Sequence, residues 1–240
     1  MKALITYLMA LFVSGHLIAE EAPAPVYFTI DKDKLNEMYQ EAANSFAEAK
    51  TGTEASKYIS DDNYREFNRA YRQMHKKRVG ELAEEVKVFS RDLKQYALIL
   101  NKWPNGKQGF VFLIWHQGMT EPKVDWRATY AYCDIEWDRL REEKPELPVE
   151  MRVRLRKNNY YNFGFADDQV WQCFSMYHVE LEESMYVYLR RDHAQYEEIM
   201  NLFRGDRDSS VVLQMAYPAD NEKDNQLEFL NLVSDTWFVK

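Results

Sequence analysis

The segment from Gly109 to Val233 constrains the fold most, because its predicted elements follow the same order twice. The first pass gives strands at 109–118 and 126–133, a helix at 134–144, and strands at 149–157 and 159–166. The second pass gives strands at 170–181 and 184–191, a helix at 192–203, and strands at 210–217 and 226–233. In addition, Tyr130–Trp137 and Tyr186–Tyr196 each place two tyrosines two residues apart, before an Asp where a helix begins. The pattern predicts two ββαββ-like repeats, and a true duplication and a chance likeness both explain it.

Residues 149–233 also follow the element order of a five-stranded OB barrel, in which three strands precede a helix and two strands. Residues 149–165 would form a long bent first strand. At its start Met151, Val153 and Leu155 alternate with arginines, as in a strand with one buried face. The alternative is a single antiparallel sheet built from both repeats, with helices on one side. Either arrangement gives an α+β fold with a helical N-terminal segment and an antiparallel β-rich body.

The first nineteen residues resemble a signal peptide. Lys2 supplies a positive charge, residues 3–13 form an apolar run too short to span a bilayer, and residues 17–19 offer a cleavage site. An uncleaved anchor is the alternative. No later segment approaches transmembrane length, so the sequence predicts an exported protein, periplasmic or secreted.

Residues 20–101 are predicted to be mainly helical and residues 102–240 to form the β-rich body, with the possible barrel at 149–240. Helices are expected at 31–50 and 61–76, where apolar residues recur at helical spacing. Apolar positions continue at coiled-coil spacing to residue 100, which permits one long helix and an oligomeric scaffold. The β-rich runs favour instead a helix ending near residue 78 and a strand at 95–101.

The composition limits the classes of partner that the chain can bind. The net charge of −8 argues against attraction to nucleic acid, whereas 46% hydrophobic and 15% aromatic residues suffice for a packed core. The two cysteines, Cys133 and Cys173, permit a disulfide in an exported protein, and two buried thiols are the alternative. No spacing typical of a metal or cofactor site occurs.

A basic and aromatic strand face is the main candidate for ligand binding. The alternation places Arg152, Arg154 and Arg156 on one side of their strand, and Tyr186, Tyr188 and Arg190 on the outward side of another. Arginine and tyrosine suit stacking on sugars and pairing with anions. A glycan, a peptide or a protein is therefore the predicted partner, and a solvated strand face is the alternative.

Three carboxylates are the candidates for catalysis. Asp134, Glu136 and Asp138 share one face if the strand extends that far, and a carboxylate pair could hydrolyse a glycoside. If a helix begins at Asp134, they complement its N-terminal dipole instead. No nucleophile elbow, phosphate-binding loop or H-E-x-x-H motif occurs. The sequence therefore favours a non-catalytic binding or assembly protein of the cell envelope, with an envelope glycan hydrolase as the alternative.

Overall fold

The computed structural model describes residues 30–91, 93–178, 185–203, 208–219 and 223–237. The predicted signal peptide at residues 1–19 lies outside these ranges. The described chain has a helical N-terminal part followed by two mostly antiparallel β-structures, so the predicted α+β class is confirmed. Among the described helices, none has the length and apolar character needed to cross a bilayer.

Three helices open the described chain: α1 (Lys32–Glu48), α2 (Gly52–Ala55) and α3 (Tyr64–Arg78). The Asp31 side chain accepts hydrogen bonds from the backbone of Asp33 and Lys34, which fixes the start of α1 as the sequence predicts. Helix α3 begins three residues later than the expected start at residue 61, because Asn63 caps it: its side chain accepts a hydrogen bond from the backbone N–H of Glu66.

A four-stranded antiparallel sheet, here called the first sheet, follows the helices. Its strands β1 (Glu81–Arg91), β2 (Lys94–Lys102), β3 (Gln108–His116) and β4 (Lys123–Val124) lie side by side in chain order. The predicted helix end near residue 78 and the strand at 95–101 are therefore confirmed, and a single helix over 61–100 is not formed. The domain boundary expected after residue 101 falls inside the β2–β3 hairpin, so the β-structure begins about twenty residues earlier than predicted.

The first sheet is apolar on both faces. On the helix face, Ala97, Ile99, Val111 and Leu113 join the core that α1 and α3 cover. The opposite face, here called the distal face, carries a separate cluster and no helix longer than one turn among the described residues. That cluster includes Tyr96, Leu98, Phe112, Ile114 and, from the end of the described chain, Trp237.

The segment after β4 folds as helix and not as the predicted strand over 126–133. Helix α4 (Trp126–Thr129) begins there because the Asp125 side chain accepts from the backbone N–H of Ala128. Ala131 then adopts a φ of 45°, which a strand does not permit. Helix α5 (Trp137–Glu143) follows, a few residues later than predicted.

The rest of the chain forms a closed barrel. It contains β5 (Val149–Asn158), β6 (Trp171–Tyr177), β7 (Met185–Arg190), helix α6 (Tyr196–Leu202), β8 (Ser209–Ala216) and β9 (Gln226–Ser234). The strand order is β5-β6-β7-β9-β8, with β7 and β9 parallel and all other pairs antiparallel. Three strands, a helix and two strands in one closed barrel match the predicted OB-like connectivity. Alternate residues of β5, including Met151, Val153 and Leu155, fill its interior.

The two predicted repeats are not equivalent structural units. The first lacks its second strand, which is helix α4, and its third strand is β5 of the barrel. The strand expected at 159–166 is a loop with a 3-10 helix at Phe163–Phe165. Phe163 adopts a φ of 50°, which interrupts an extended chain. This loop lies against the outer side of β6 and β7, where the Phe165 and Tyr188 rings stack at 3.9 Å.

Cys133 and Cys173 are both free thiols, so the disulfide that the sequence permitted is not formed. Cys133 precedes α5 with its sulfur near the carbonyl oxygens of Ala131 and Arg152, whereas Cys173 lies under the 159–166 loop. Burial raises the pKa of each thiol to about 11. Both are therefore protonated near neutral pH and poorly nucleophilic.

We expect neither thiol of the native protein to react appreciably with Ellman's reagent at pH 8, because Cys173 is buried, Cys133 is only partly exposed, and both are protonated. Unfolding in guanidinium chloride should release two reactive thiols per chain, and a reducing agent should leave the melting temperature unchanged. Reaction of fewer than two thiols after unfolding without reductant would show that a disulfide exists.

A buried histidine joins the helices to the end of α4. His75 stacks on Tyr71 with ring centroids 4.3 Å apart. Its Nε2 lies 3.2 Å from the Ala47 carbonyl oxygen, so Nε2 carries the proton and Nδ1 accepts from the Tyr130 hydroxyl at 2.8 Å. Burial lowers the pKa of His75 below its usual value, and the hydrogen bond to Ala47 only partly offsets this.

The neutral state of His75 predicts a pH dependence of stability. Because its pKa is lower in the folded than in the unfolded chain, the unfolded chain binds more protons as pH falls below about 6.5. The contribution of neutral His75 to the free energy of unfolding is therefore complete above this pH. Below it, the contribution falls by at most about 1.4 kcal/mol per pH unit. Urea denaturation at pH 5.5 and at pH 7.5 gives the free energy of unfolding at each pH. The difference between these two values should be smaller for His75→Gln than for wild type. Equal differences would contradict a neutral buried His75.

Candidate functional site

The six residues of the predicted basic and aromatic face do not converge on one groove. Arg152 is only 1% exposed in its side chain, and its guanidinium donates to the backbone oxygens of Tyr132 (3.1 Å) and Trp237 (3.3 Å). Glu150 lies 3.6 Å from the same group. Arg152 therefore joins the end of α4, the barrel and the last described residues, and its role is structural.

Tyr188 is likewise buried. Its hydroxyl donates to the Tyr160 carbonyl oxygen at 2.9 Å and accepts from Gln226, and its ring lies under Phe165. Tyr186 is half-buried and stacks on Tyr160 at 4.4 Å. The chain's own 159–166 loop thus covers the part of the barrel where these two tyrosines were expected to meet a ligand.

The remaining three arginines are exposed but differ in their partners. Arg156 forms a two-point ion pair with Asp208, at 2.7 and 3.1 Å. Arg190 forms a similar pair with Asp192, both distances being 2.9 Å. Arg154, by contrast, has no hydrogen bond or ion pair with any described residue, and it lines a cleft.

Arg152 and Arg156 allow a matched test of these assignments. Arg152→Ala should lower the free energy of unfolding by about 3 kcal/mol, because it leaves the buried carbonyl oxygen of Tyr132 and the part-buried one of Trp237 without this donor. Arg156→Ala, four residues along the same strand, should leave stability almost unchanged because its ion pair is solvent-exposed. Urea denaturation monitored by tryptophan fluorescence measures both. Equal effects would contradict the structural role of Arg152.

The candidate catalytic carboxylates do not form a site either. Asp134 accepts a hydrogen bond from the backbone N–H of Glu150 at 2.9 Å and so holds the connection to β5. Glu136 precedes α5 and lines a polar pocket of 180 Å³ with Lys77, Arg78, Trp137 and His178, where it is the only carboxylate among the described residues. The Asp138 side chain lies outside the described part of the structure.

A second cleft is larger and more apolar. It measures 470 Å³ and lies between the distal face of the first sheet and the outer surface of the barrel. Leu98 and Phe112 form its floor, and the more exposed Phe89 and Phe110 stand at its edge with 40% and 36% of their surface accessible. Trp237 forms a wall, since its ring lies 5.9 Å from that of Phe112. A cleft of this size is typical of sites for small organic ligands.

Trp237 is held in place from two sides. Its indole Nε1 donates to the Val153 carbonyl oxygen at 3.2 Å, and its own carbonyl oxygen accepts from Arg152. The ion pair between Arg91 and Asp235, at 2.8 Å, further attaches this end of the chain to the first sheet. The wall is therefore preformed, which lowers the entropic cost of binding a ligand beside it.

The barrel side of the cleft is polar. Arg154 and Ser210 are directly opposed on β5 and β8, so their side chains are neighbours on the outer face, and both line the cleft together with Thr236. Among the described lining residues, Arg154 is the only charged one. The cleft thus has an apolar floor on the sheet and one cationic corner on the barrel.

Five aromatic lining residues were not predicted as site residues: Phe89, Trp103, Phe110, Phe112 and Trp237. The sequence carries one signal for them. Residues 110–115 are continuously apolar, which indicates a strand that is apolar on both faces and therefore needs a cover on each. Only the folded chain reveals that the cover of the distal face is incomplete.

Among the described residues, no cluster of three or more histidine, cysteine or carboxylate side chains could hold a metal ion. Comparison of the chain with protein-family models, curated proteins and solved structures gave no match. The fold is thus an α+β arrangement with an OB-like barrel, and its function must be argued from the geometry of the cleft.

Proposed function

We propose that this chain is an exported, non-catalytic binding protein, periplasmic or secreted, that holds a ligand in the cleft between the first sheet and the barrel. One observation carries the proposal: a cleft of 470 Å³ lined by five aromatic rings and by Arg154. Large apolar pockets with a few polar groups are the usual form of ligand sites. The signal-peptide pattern at residues 1–19 supports export.

The exposed rings at the edge of the cleft support binding in particular. Phe89 lies on β1 and Phe110 on β3, with β2 between them, and each keeps more than a third of its surface exposed. Exposing aromatic surface costs free energy that a ligand can recover on binding. Phe89 stacks on Tyr96 and Phe110 meets Phe112 edge-on, so each ring is anchored on one side while its exposed part remains available to a ligand.

Non-catalytic binding is favoured over glycan hydrolysis by the placement of the carboxylates. The lining of the aromatic cleft contains no carboxylate among the described residues, and Asp134 is engaged by the backbone N–H of Glu150. A glycosidase needs two carboxyl groups on opposite sides of the bond that it cleaves. We therefore retain binding as the proposed function.

The cleft should bind the uncharged fluorescent probe N-phenyl-1-naphthylamine, with an increase in probe fluorescence. Phe110→Ala should weaken this binding about fivefold, because it removes apolar contact worth roughly 1 kcal/mol. Leu98→Trp should weaken it further by filling the floor of the cleft. Fluorescence titration measures both affinities, and thermal unfolding verifies that each variant is folded.

Phe163→Ala is the matched control. Phe163 is a comparably exposed phenylalanine, 47% accessible, but it lies on the 159–166 loop of the barrel against Lys223 and not in the cleft. Its removal should leave probe affinity unchanged. If wild type does not bind the probe, or if Phe110→Ala and Leu98→Trp bind it as wild type does, the cleft is not the binding site.

A further inference from the structure

The charged corner of the cleft gives information about the ligand that its apolar floor does not. Arg154, Ser210 and Thr236 come from the barrel side, whereas Leu98, Phe110 and Phe112 come from the sheet side. Gln108 and Thr129 also line the cleft, but its apolar side chains lie mostly on the sheet, and Arg154, its only charged lining residue among those described, lies on the barrel. A ligand complementary to the cleft therefore has an apolar body that contacts the sheet and one polar end that contacts the barrel.

The hydrogen bonding of Arg154 and of its neighbours indicates the charge of the polar end of the ligand. The neighbouring carboxylate of Asp208 already accepts two hydrogen bonds from Arg156. These bonds are the main cause of the lowered pKa of Asp208, and the positive charge of Arg154 lowers this pKa further. The outward arginines on either side are thus engaged: Arg152 with backbone oxygens and Arg156 with Asp208. Arg154 alone of the three has its hydrogen-bond donors free among the described residues.

We propose that the cleft binds a small amphipathic anion, with an aromatic or acyl body on the floor formed by Leu98 and Phe112, beside Phe110 at the edge, and one carboxylate or sulfonate group on Arg154. This inference rests on the proposed function and specifies its ligand. A guanidinium can donate two parallel hydrogen bonds to a carboxylate, and such charge-assisted bonds are roughly twice as strong as neutral ones. The Ser210 hydroxyl, on the opposed residue of β8, is placed to add a third donor.

The net charge of the whole chain does not prevent this recognition. The chain carries a formal charge of −8. At physiological ionic strength, however, exposed charges more than about 8 Å apart are largely screened. Arg154 lines the cleft itself and is the only charged lining residue among those described, so its guanidinium is the charge nearest to a ligand bound there. The local positive charge therefore governs the orientation of the ligand.

A pair of matched probes tests the inference. 1-Anilinonaphthalene-8-sulfonate carries one negative charge, and N-phenyl-1-naphthylamine has the same aromatic framework without it. Their affinities are measured by fluorescence titration with the full chain, for wild type, Arg154→Gln and Arg156→Gln. We expect Arg154→Gln to bind the sulfonate about tenfold more weakly and the neutral probe within about twofold of wild type. Arg156→Gln, two residues along the strand and outside the cleft, should change neither affinity. Thermal unfolding verifies that the variants are folded.

The outcomes separate this inference from the proposed function. If wild type binds neither probe, the cleft is not a ligand site, and both proposals fail. If wild type binds both probes and Arg154→Gln changes their affinities equally, or changes neither, the cleft binds ligands without reading their charge, and only the inference fails. As a second criterion, raising the salt concentration should weaken sulfonate binding by wild type more than by Arg154→Gln. Equal salt dependence of the two proteins would overturn the assignment of Arg154.

Discussion

The buried guanidinium of Arg152 is the interaction on which the arrangement of the two β-structures depends. A charged group at 1% exposure must have nearby hydrogen-bond acceptors, and here these are the backbone oxygens of Tyr132 and Trp237. The segment after α4 and the end of the described chain are therefore both drawn onto β5. Arg152 also counteracts the rise in the pKa of Asp125 that burial causes, and the Asp125 carboxylate caps α4. One side chain thus positions the helix, the barrel and the wall of the cleft.

Features of the fold that depend on residues close together in the chain could be predicted from the sequence. The cap of α1 and the alternation of Met151, Val153 and Leu155 with arginines are local patterns, and the barrel connectivity follows from the order of its elements. The error at 126–133 has an equally local cause: alternation of tyrosine with small residues suggested a strand, whereas the cap formed by Asp125 starts a helix. The β7–β9 pairing that closes the barrel joins distant segments in parallel, and no short pattern encodes it.

The candidate site was harder to predict, because a sequence pattern shows which residues share a face of a strand but not what covers that face. Arg152, Arg154 and Arg156 do alternate on the outer side of β5 as predicted. Nevertheless, Trp237 closes over Arg152, and Phe165 closes over Tyr188 in the same way on the neighbouring strands. Of the three arginines on β5, Arg154 is the one that lines the aromatic cleft. The aromatic residues across from it come from β1, β3 and the end of the chain, so the site is assembled from parts far apart in sequence.

The incomplete cover of the distal face is the strongest structural reason to regard the cleft as functional. A sheet that is apolar on both sides is stable when both sides are buried, and here α1 and α3 cover the core on one side, where Ala97, Ile99, Val111 and Leu113 are buried. On the other side, Trp237 covers Phe112 but leaves Phe89 and Phe110 at the edge of a cavity. Filling that cavity with larger side chains would strengthen the contact between the sheet and the barrel. The chain instead places there Arg154, which has no hydrogen bond or ion pair with any described residue and can therefore donate to a ligand.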